Sequence, residues 1–104
     1  IYRDEDGLAT SSRNVRLSPQ ARAIAPKIHE ILLKSASLMK TLSVSQVKGY
    51  VEGEFKMRKE FTLEYFEIVD AKTLQPVKVK GDNKTVGCVA VWLDGVRLID
   101  IQKY

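Results

Sequence analysis

The residues of this chain best suited to chemistry lie near its start, in "DGLATSSRN", Asp6 to Asn14. Two adjacent hydroxyls, Ser11 and Ser12, precede Arg13. That arginine is a permanent cation, and its planar fork of donors matches phosphate oxygens. Asp6-Gly7 supplies a sharp turn, Leu8 and Ala9 can anchor the segment by an apolar contact, and Asn14 can hold the following turn through its own backbone. Such a set can bind an anion. The same letters also suit a solvated loop ahead of a capped helix, and on pattern alone both readings stand.

The other reactive residue types are isolated. His29 is the single histidine, mid-helix beside Glu30, and reads as structural. Cys88 is the single cysteine, set in an apolar strand pattern; it reads as a small core residue in a reducing cytoplasm. Asp4, Glu5 and Asp6 are consecutive, so they cannot all face one ion, and a solvated turn is the better reading. There is no Walker-type glycine loop, no metal-ligand spacing and no serine–histidine–acid set.

With 104 residues the chain can form one domain with one modest core. A hydrophobic fraction of 44% and a charged fraction of 29% are those of an ordinary globular protein. No apolar run approaches the roughly 20 residues of a membrane span, and no signal-peptide pattern opens the chain. The net charge of +4 is spread among acids, and the densest basic run, "KMRKEF", lacks interleaved aromatics. A nucleic-acid partner is therefore not expected. The chain opens on Ile1, Tyr2 and Arg3 rather than Met, which reads as a piece of something longer.

The elements that must position the loop follow it. In "LSPQARAIAPKIHEILLKSASLMKTL", Ser18 can cap and Pro19 suits the first helical position. Ile24, Ile28, Ile31, Leu32, Leu38, Met39 and Leu42 share one helical face. Pro26 predicts a break near Ala25, leaving a short helix and then a longer one. Ser43 and Gln46 form a capping box for a further helix with Val44, Val47, Val51 and Phe55 buried. Gly49 and Gly53 share a face of it and suggest close packing on a neighbouring backbone. "TLEYFEIV" reads as a strand, Asp70 with "KTLQPV" as a turn and connection, and "VKVKGDNKT" as a polar loop. "TVGCVAVWLDGVRLIDI" is two strands joined at Asp94-Gly95. The expected fold is α+β: a two-layer sandwich of helices on a small, three-stranded antiparallel sheet.

"RDEDGLATSSRNVRLSPQARAIAP" closely resembles the segment R-E-x-D-G-L-A-x-S-S-R-N-x-x-L-S of the pantoate–β-alanine ligase family. "LEYFEIVDAKTLQPV" resembles that family's strand and D-x-x-T-L-x-P-V turn, and "VAVWLDGVRLID" its C-terminal hairpin ending in R-L-I-D. The likeness runs in order from the first residues to Asp100.

The resemblance implies that residues 1–104 are the C-terminal lid domain of a two-domain ligase, with residues 1–17 as a nucleotide-facing loop. It implies a Rossmann-like N-terminal catalytic domain, absent from this chain, carrying a His-x-Gly-His motif and the ATP and pantoate pockets. The implied reaction belongs to pantothenate and coenzyme A biosynthesis. The carboxylate of pantoate attacks the α-phosphorus of ATP with Mg²⁺, pyrophosphate leaves, and the amine of β-alanine displaces AMP from pantoyl adenylate. The metal would be held mainly by ATP and the missing domain, with no metal ligand in this chain.

The serine–arginine loop resembles in role the KMSKS loop of class I aminoacyl-tRNA synthetases. The resemblance makes Ser11, Ser12 and Arg13 catalytic donors to the ATP phosphates. Thr10, where the family more often has Met or Leu, would lie beside the nucleotide and offer mainly backbone. Tyr2 matches a position whose backbone meets the adenine, though its side chain is large for that place. Ile101 follows R-L-I-D where the family usually has Asn. The whole protein is expected to be a cytoplasmic homodimer binding neither nucleic acid nor membrane, and this chain alone to be inactive. The alternatives are a stand-alone anion- or nucleotide-binding module and a dimerisation domain using the exposed sheet face. As a clamp, Asp6 to Asn14 is expected to be exposed, poorly restrained and short of packing contacts.

Overall fold

The break at Pro26 organises the helical layer. In the computed structural model, which describes residues 2–79, 81 and 84–104, Ser18 caps helix α1 (Pro19–Ile24) by accepting from the Ala21 amide at 3.1 Å. Pro26 has no N–H to donate back, and its ring would crowd the carbonyl four residues earlier. The helix therefore stops, and α2 (Lys27–Leu38) starts beyond a single tight turn in which the His29 amide donates to the Pro26 carbonyl. The expected short-then-long pair is what forms.

Helix α2 buries Ile28, Ile31 and Leu32, while Leu38, Met39 and Leu42 pack partly buried against the same core. Ser43 and Gln46 close both bonds of the capping box, and α3 (Val44–Met57) buries Val44, Val47, Val51 and Phe55. The reading of Gly49 and Gly53 as close-packing positions is corrected. Both are exposed, and a Cβ on either would meet nothing within 4 Å.

Among the described residues the sheet has three antiparallel strands in the order β1 (Phe61–Asp70), β2 (Thr85–Leu93), β3 (Val96–Lys103). Phe66, Ile68, Val89, Val91 and Leu98 face the helices, where Phe55 meets Phe61 edge-on with ring centroids 5.5 Å apart. The β2–β3 turn takes positive φ at Asp94 (54°) and Gly95 (74°), the backbone of the tight hairpin that the sequence predicts. Asp70 closes the turn after β1 by accepting from the amides of Lys72 and Thr73. Of the polar loop after Pro76, Lys80, Asp82 and Asn83 lie outside the described residues; Val77 packs against the core.

Strict alternation fails at one place in β1. A register shift between Leu63 and Tyr65 puts Glu64 and Tyr65 both on the side away from the helices. There Glu64 accepts from Trp92 Nε1 and from Arg97 Nε and Nη2 at 2.8–2.9 Å. Cys88 lies on this outer face too, half-buried rather than in the core between the layers, and burial pushes its thiol pKa up. An unionised thiol is a poor nucleophile, so its structural reading stands.

The last residue is tied in. Tyr104 reaches the fully buried Ser35, whose hydroxyl donates to the Leu32 carbonyl at 2.6 Å. The serine has one proton, already used, so the tyrosine is the donor between them. Gly87 leaves the room: a Cβ there would collide with the Tyr104 hydroxyl.

Candidate functional site

Residues 2–10 form a small antiparallel hairpin rather than an open loop. Arg3 bridges Ala9, the Thr10 amide donates to the Tyr2 carbonyl at 2.8 Å, and the Asp4 amide to the Leu8 carbonyl at 2.8 Å. Gly7 closes the turn at φ +94°, a conformation open to a residue without a Cβ. The His29 imidazole lies directly under it: a Cβ on Gly7 would sit 2.6 Å from His29 Cδ2.

The base of this hairpin is fixed to the domain from three sides. Leu8 enters the core at 3% exposure. Arg22 of α1 donates to Asp6 Oδ2 at 2.7 Å and Asp4 Oδ2 at 2.8 Å. The guanidinium of Arg3 forks onto both oxygens of Asp100 in β3, at 2.7 and 2.8 Å. The hydrogen bonds from Arg22 hold the Asp6 carboxyl below its ordinary pKa, and Asp6 in turn raises that of Arg22. His29 is held below its ordinary pKa, first by burial and then by the charge of Arg3.

The expectation of a poorly restrained segment from Asp6 to Asn14 is therefore corrected for residues 6–9. A buried leucine and two arginine clamps fix the hairpin base. The acidic run forms the expected turn, but Asp4 and Asp6 are ion-paired rather than free in solvent. Among the described residues no three His, Cys, Asp or Glu side chains stand together as metal ligands. Arg22 engages both Asp4 and Asp6, so this pair is not free to hold Mg²⁺.

The tip differs. Ser11 caps a 3₁₀ helix, Ser12–Arg16, by accepting from the Arg13 amide at 3.1 Å. That bond uses an oxygen lone pair and leaves the hydroxyl proton free to donate outward. Ser12 and Arg13 are exposed, and neither side chain has a partner among the described residues. Asn14 braces the turn by donating from Nδ2 to the Ala9 carbonyl at 3.1 Å, and Leu17 re-enters the core. The Thr10 hydroxyl donates to Asp4 Oδ1 at 2.9 Å, turning that side chain back toward the turn.

A cleft of about 340 Å³ opens between the tip and β3, lined by Thr10, Ser11 and Arg13 on one side and Leu98 and Ile99 on the other. Ser12 and Tyr2 lie outside its lining. Tyr2 is 90% exposed and joins the group through its carbonyl bond to Thr10. The structure thus gathers Thr10, Ser11, Ser12 and Arg13 at one exposed tip. The sequence reading passed over Arg3, Arg22 and Asp100 as functional residues. Arg3 and Asp100 stand at the two ends of the motifs quoted above, and that was the available signal.

The chain is similar in sequence and fold to known proteins. The pantothenate synthetase of Bacteroides fragilis is 49% identical over 107 residues, covering 100% of this chain and 37% of the relative. That of Bacteroides thetaiotaomicron is 46% identical over 105 residues, again covering 100% of this chain and 37% of the relative. The crystal structure of pantothenate synthetase from Thermus thermophilus superposes with a TM-score of 0.88 at 36% identity, over 98% of this chain and 37% of that one. The chain thus spans a little over a third of the length of the relatives it matches. A family model described as pantoate–β-alanine ligase matches residues 1–103. By sequence and fold alike, the chain belongs to the pantoate–β-alanine ligase family.

Proposed function

We propose that this chain is the C-terminal, phosphate-facing domain of a pantothenate synthetase. In the whole protein, ATP and pantoate would form pantoyl adenylate with release of pyrophosphate, and β-alanine would then displace AMP. The observation that carries the reading is the exposed tip, where Ser11, Ser12 and Arg13 project from a hairpin with a fixed base. Donors held in place before the reaction stabilise charge that develops on transferring phosphoryl oxygens without reorganising during the step.

Within that reading Arg13 neutralises the phosphates through its fork, and Ser11 and Ser12 donate hydroxyl protons. Thr10 and Tyr2 offer backbone groups to the nucleotide, which suits a Thr10 hydroxyl already engaged by Asp4. The adenine and pantoate pockets, the N-terminal domain and the homodimer contacts belong to the rest of the protein, as does any Mg²⁺ held with ATP.

The test is AMP and pyrophosphate formation by the full-length protein. Release of both that depends on pantoate and β-alanine is the expected result, with the isolated chain inactive. ATP turnover indifferent to both substrates would reject the reading.

A further inference from the structure

We infer that Arg3 and Asp100 are positioning residues that set where the serine–arginine tip stands over β3, an inference that rests on the proposed adenylation role of that tip. Asp100 is a carboxylate at 3% exposure, and its partner Arg3 stands at 21%. A charge so buried is costly unless its lone pairs are filled. Here they are filled: Oδ2 and Oδ1 take the two arms of the Arg3 fork, and Oδ1 also accepts from the Ile101 amide at 2.7 Å. The same guanidinium donates to the Gly7 carbonyl at 3.0 Å and the Ile101 carbonyl at 3.2 Å. One side chain therefore joins the turn of the hairpin to the strand under it, at a residue 97 positions away.

The placement fits function better than bulk stability. A buried ion pair adds little net stability over an apolar pair of the same shape, but its bidentate geometry fixes direction closely. Arg3 bridges Ala9, which leads directly into Thr10 and Ser11, and Asp100 lines the cleft that Ser11 and Arg13 overhang. A shift of the pair therefore moves the donors relative to β3. Misplacement of catalytic groups by about 1 Å can cost about 10²-fold in rate.

The experiment uses the full-length protein with Asp100→Asn and, separately, Arg3→Lys. Asparagine keeps the shape and loses the charge; lysine keeps the charge and loses the fork. Amide hydrogen exchange is read across residues 4–14 and across α2 and α3, alongside single-turnover pyrophosphate release and the KM for pantoate. The expected result for Asp100→Asn is faster exchange confined to residues 4–14 and a release rate lower by about 10²-fold. The KM for pantoate should stay within about twofold, since ground-state binding of that substrate is untouched. Arg3→Lys should fall between that variant and the wild type.

Release rates within about threefold of wild type in both variants would overturn the inference. So would exchange raised equally in α2 and α3, which would make the pair a general stability contact. The two levels fail separately: a wild-type protein that releases no pyrophosphate defeats the functional reading, whereas unchanged exchange in residues 4–14 defeats the positioning role.

Discussion

At the base of the N-terminal hairpin the charged side chains of Arg3, Asp4 and Asp6 are engaged, Arg3 by Asp100 and both aspartates by Arg22. One residue past Ser11 the pattern reverses, and Ser12 and Arg13 face solvent without a side-chain partner among the described residues. The two regions are continuous in sequence and similar in polarity. They differ in whether their hydrogen-bonding capacity is used inside the domain or kept for something outside it. A donor that is satisfied at home costs energy to redirect, while one held in place and left unpaired is ready for a ligand. Substitutions at Gly7 and Leu8 in the base should therefore change stability first and those in the tip chemistry first, while the Arg3–Asp100 pair acts on where the tip stands.

The largest expected break is Leu8→Ala. Removing a buried leucine should lower unfolding stability by about 2–5 kcal/mol, measured by urea denaturation of this chain. A change well under ~1 kcal/mol would mean that the hairpin base is not fixed through the core. Gly7→Ala comes next, by about 1–3 kcal/mol, from a positive φ and a Cβ driven against His29; a thermal melt checks it, and an unchanged midpoint would contradict the geometry. Ser11 sharpens the comparison because it belongs to both regions. Ser11→Ala should cost about 0.5–2 kcal/mol as a lost cap and also slow adenylation, whereas Ser12→Ala should slow adenylation with no loss of stability.

The smallest effect concerns pH. His29 faces Arg3, Asp100 and Glu30, and burial holds its pKa below the ordinary 6.5. Its neutral form is therefore favoured by folding. The stability it contributes is complete above pH 6.5 and is lost as pH falls through the lower folded value, because the unfolded chain takes a proton the folded chain refuses. Unfolding curves across that range should flatten in His29→Gln, and an unaltered slope would place the titration elsewhere.

Much of this was legible from residue types. Ser18-Pro19, Pro26, the Ser43–Gln46 box and Asp94-Gly95 each act through neighbouring backbone atoms, so each reads locally. The tip residues were legible for the same reason. What did not read locally was the base, since the Arg3–Asp100 pair joins residues 97 apart and Arg22 reaches Asp6 across 16. The strand bulge at Glu64 also escaped alternation, because an extra residue changes which side chains share a face. Gly49 and Gly53 misled in the opposite sense: spacing put them on one face, but only packing reveals that the face is solvent.

The central claim is that the tip performs phosphate chemistry which the base only supports. Its most direct test is single-turnover pyrophosphate release by the full-length protein carrying Arg13→Ala, with unfolding stability measured in parallel. The account predicts a rate lower by about 10²–10³-fold, partial recovery in Arg13→Lys, and stability unchanged. A rate within about threefold of wild type, under ~1 kcal/mol of barrier, would contradict it and leave Arg13 an ordinary surface arginine.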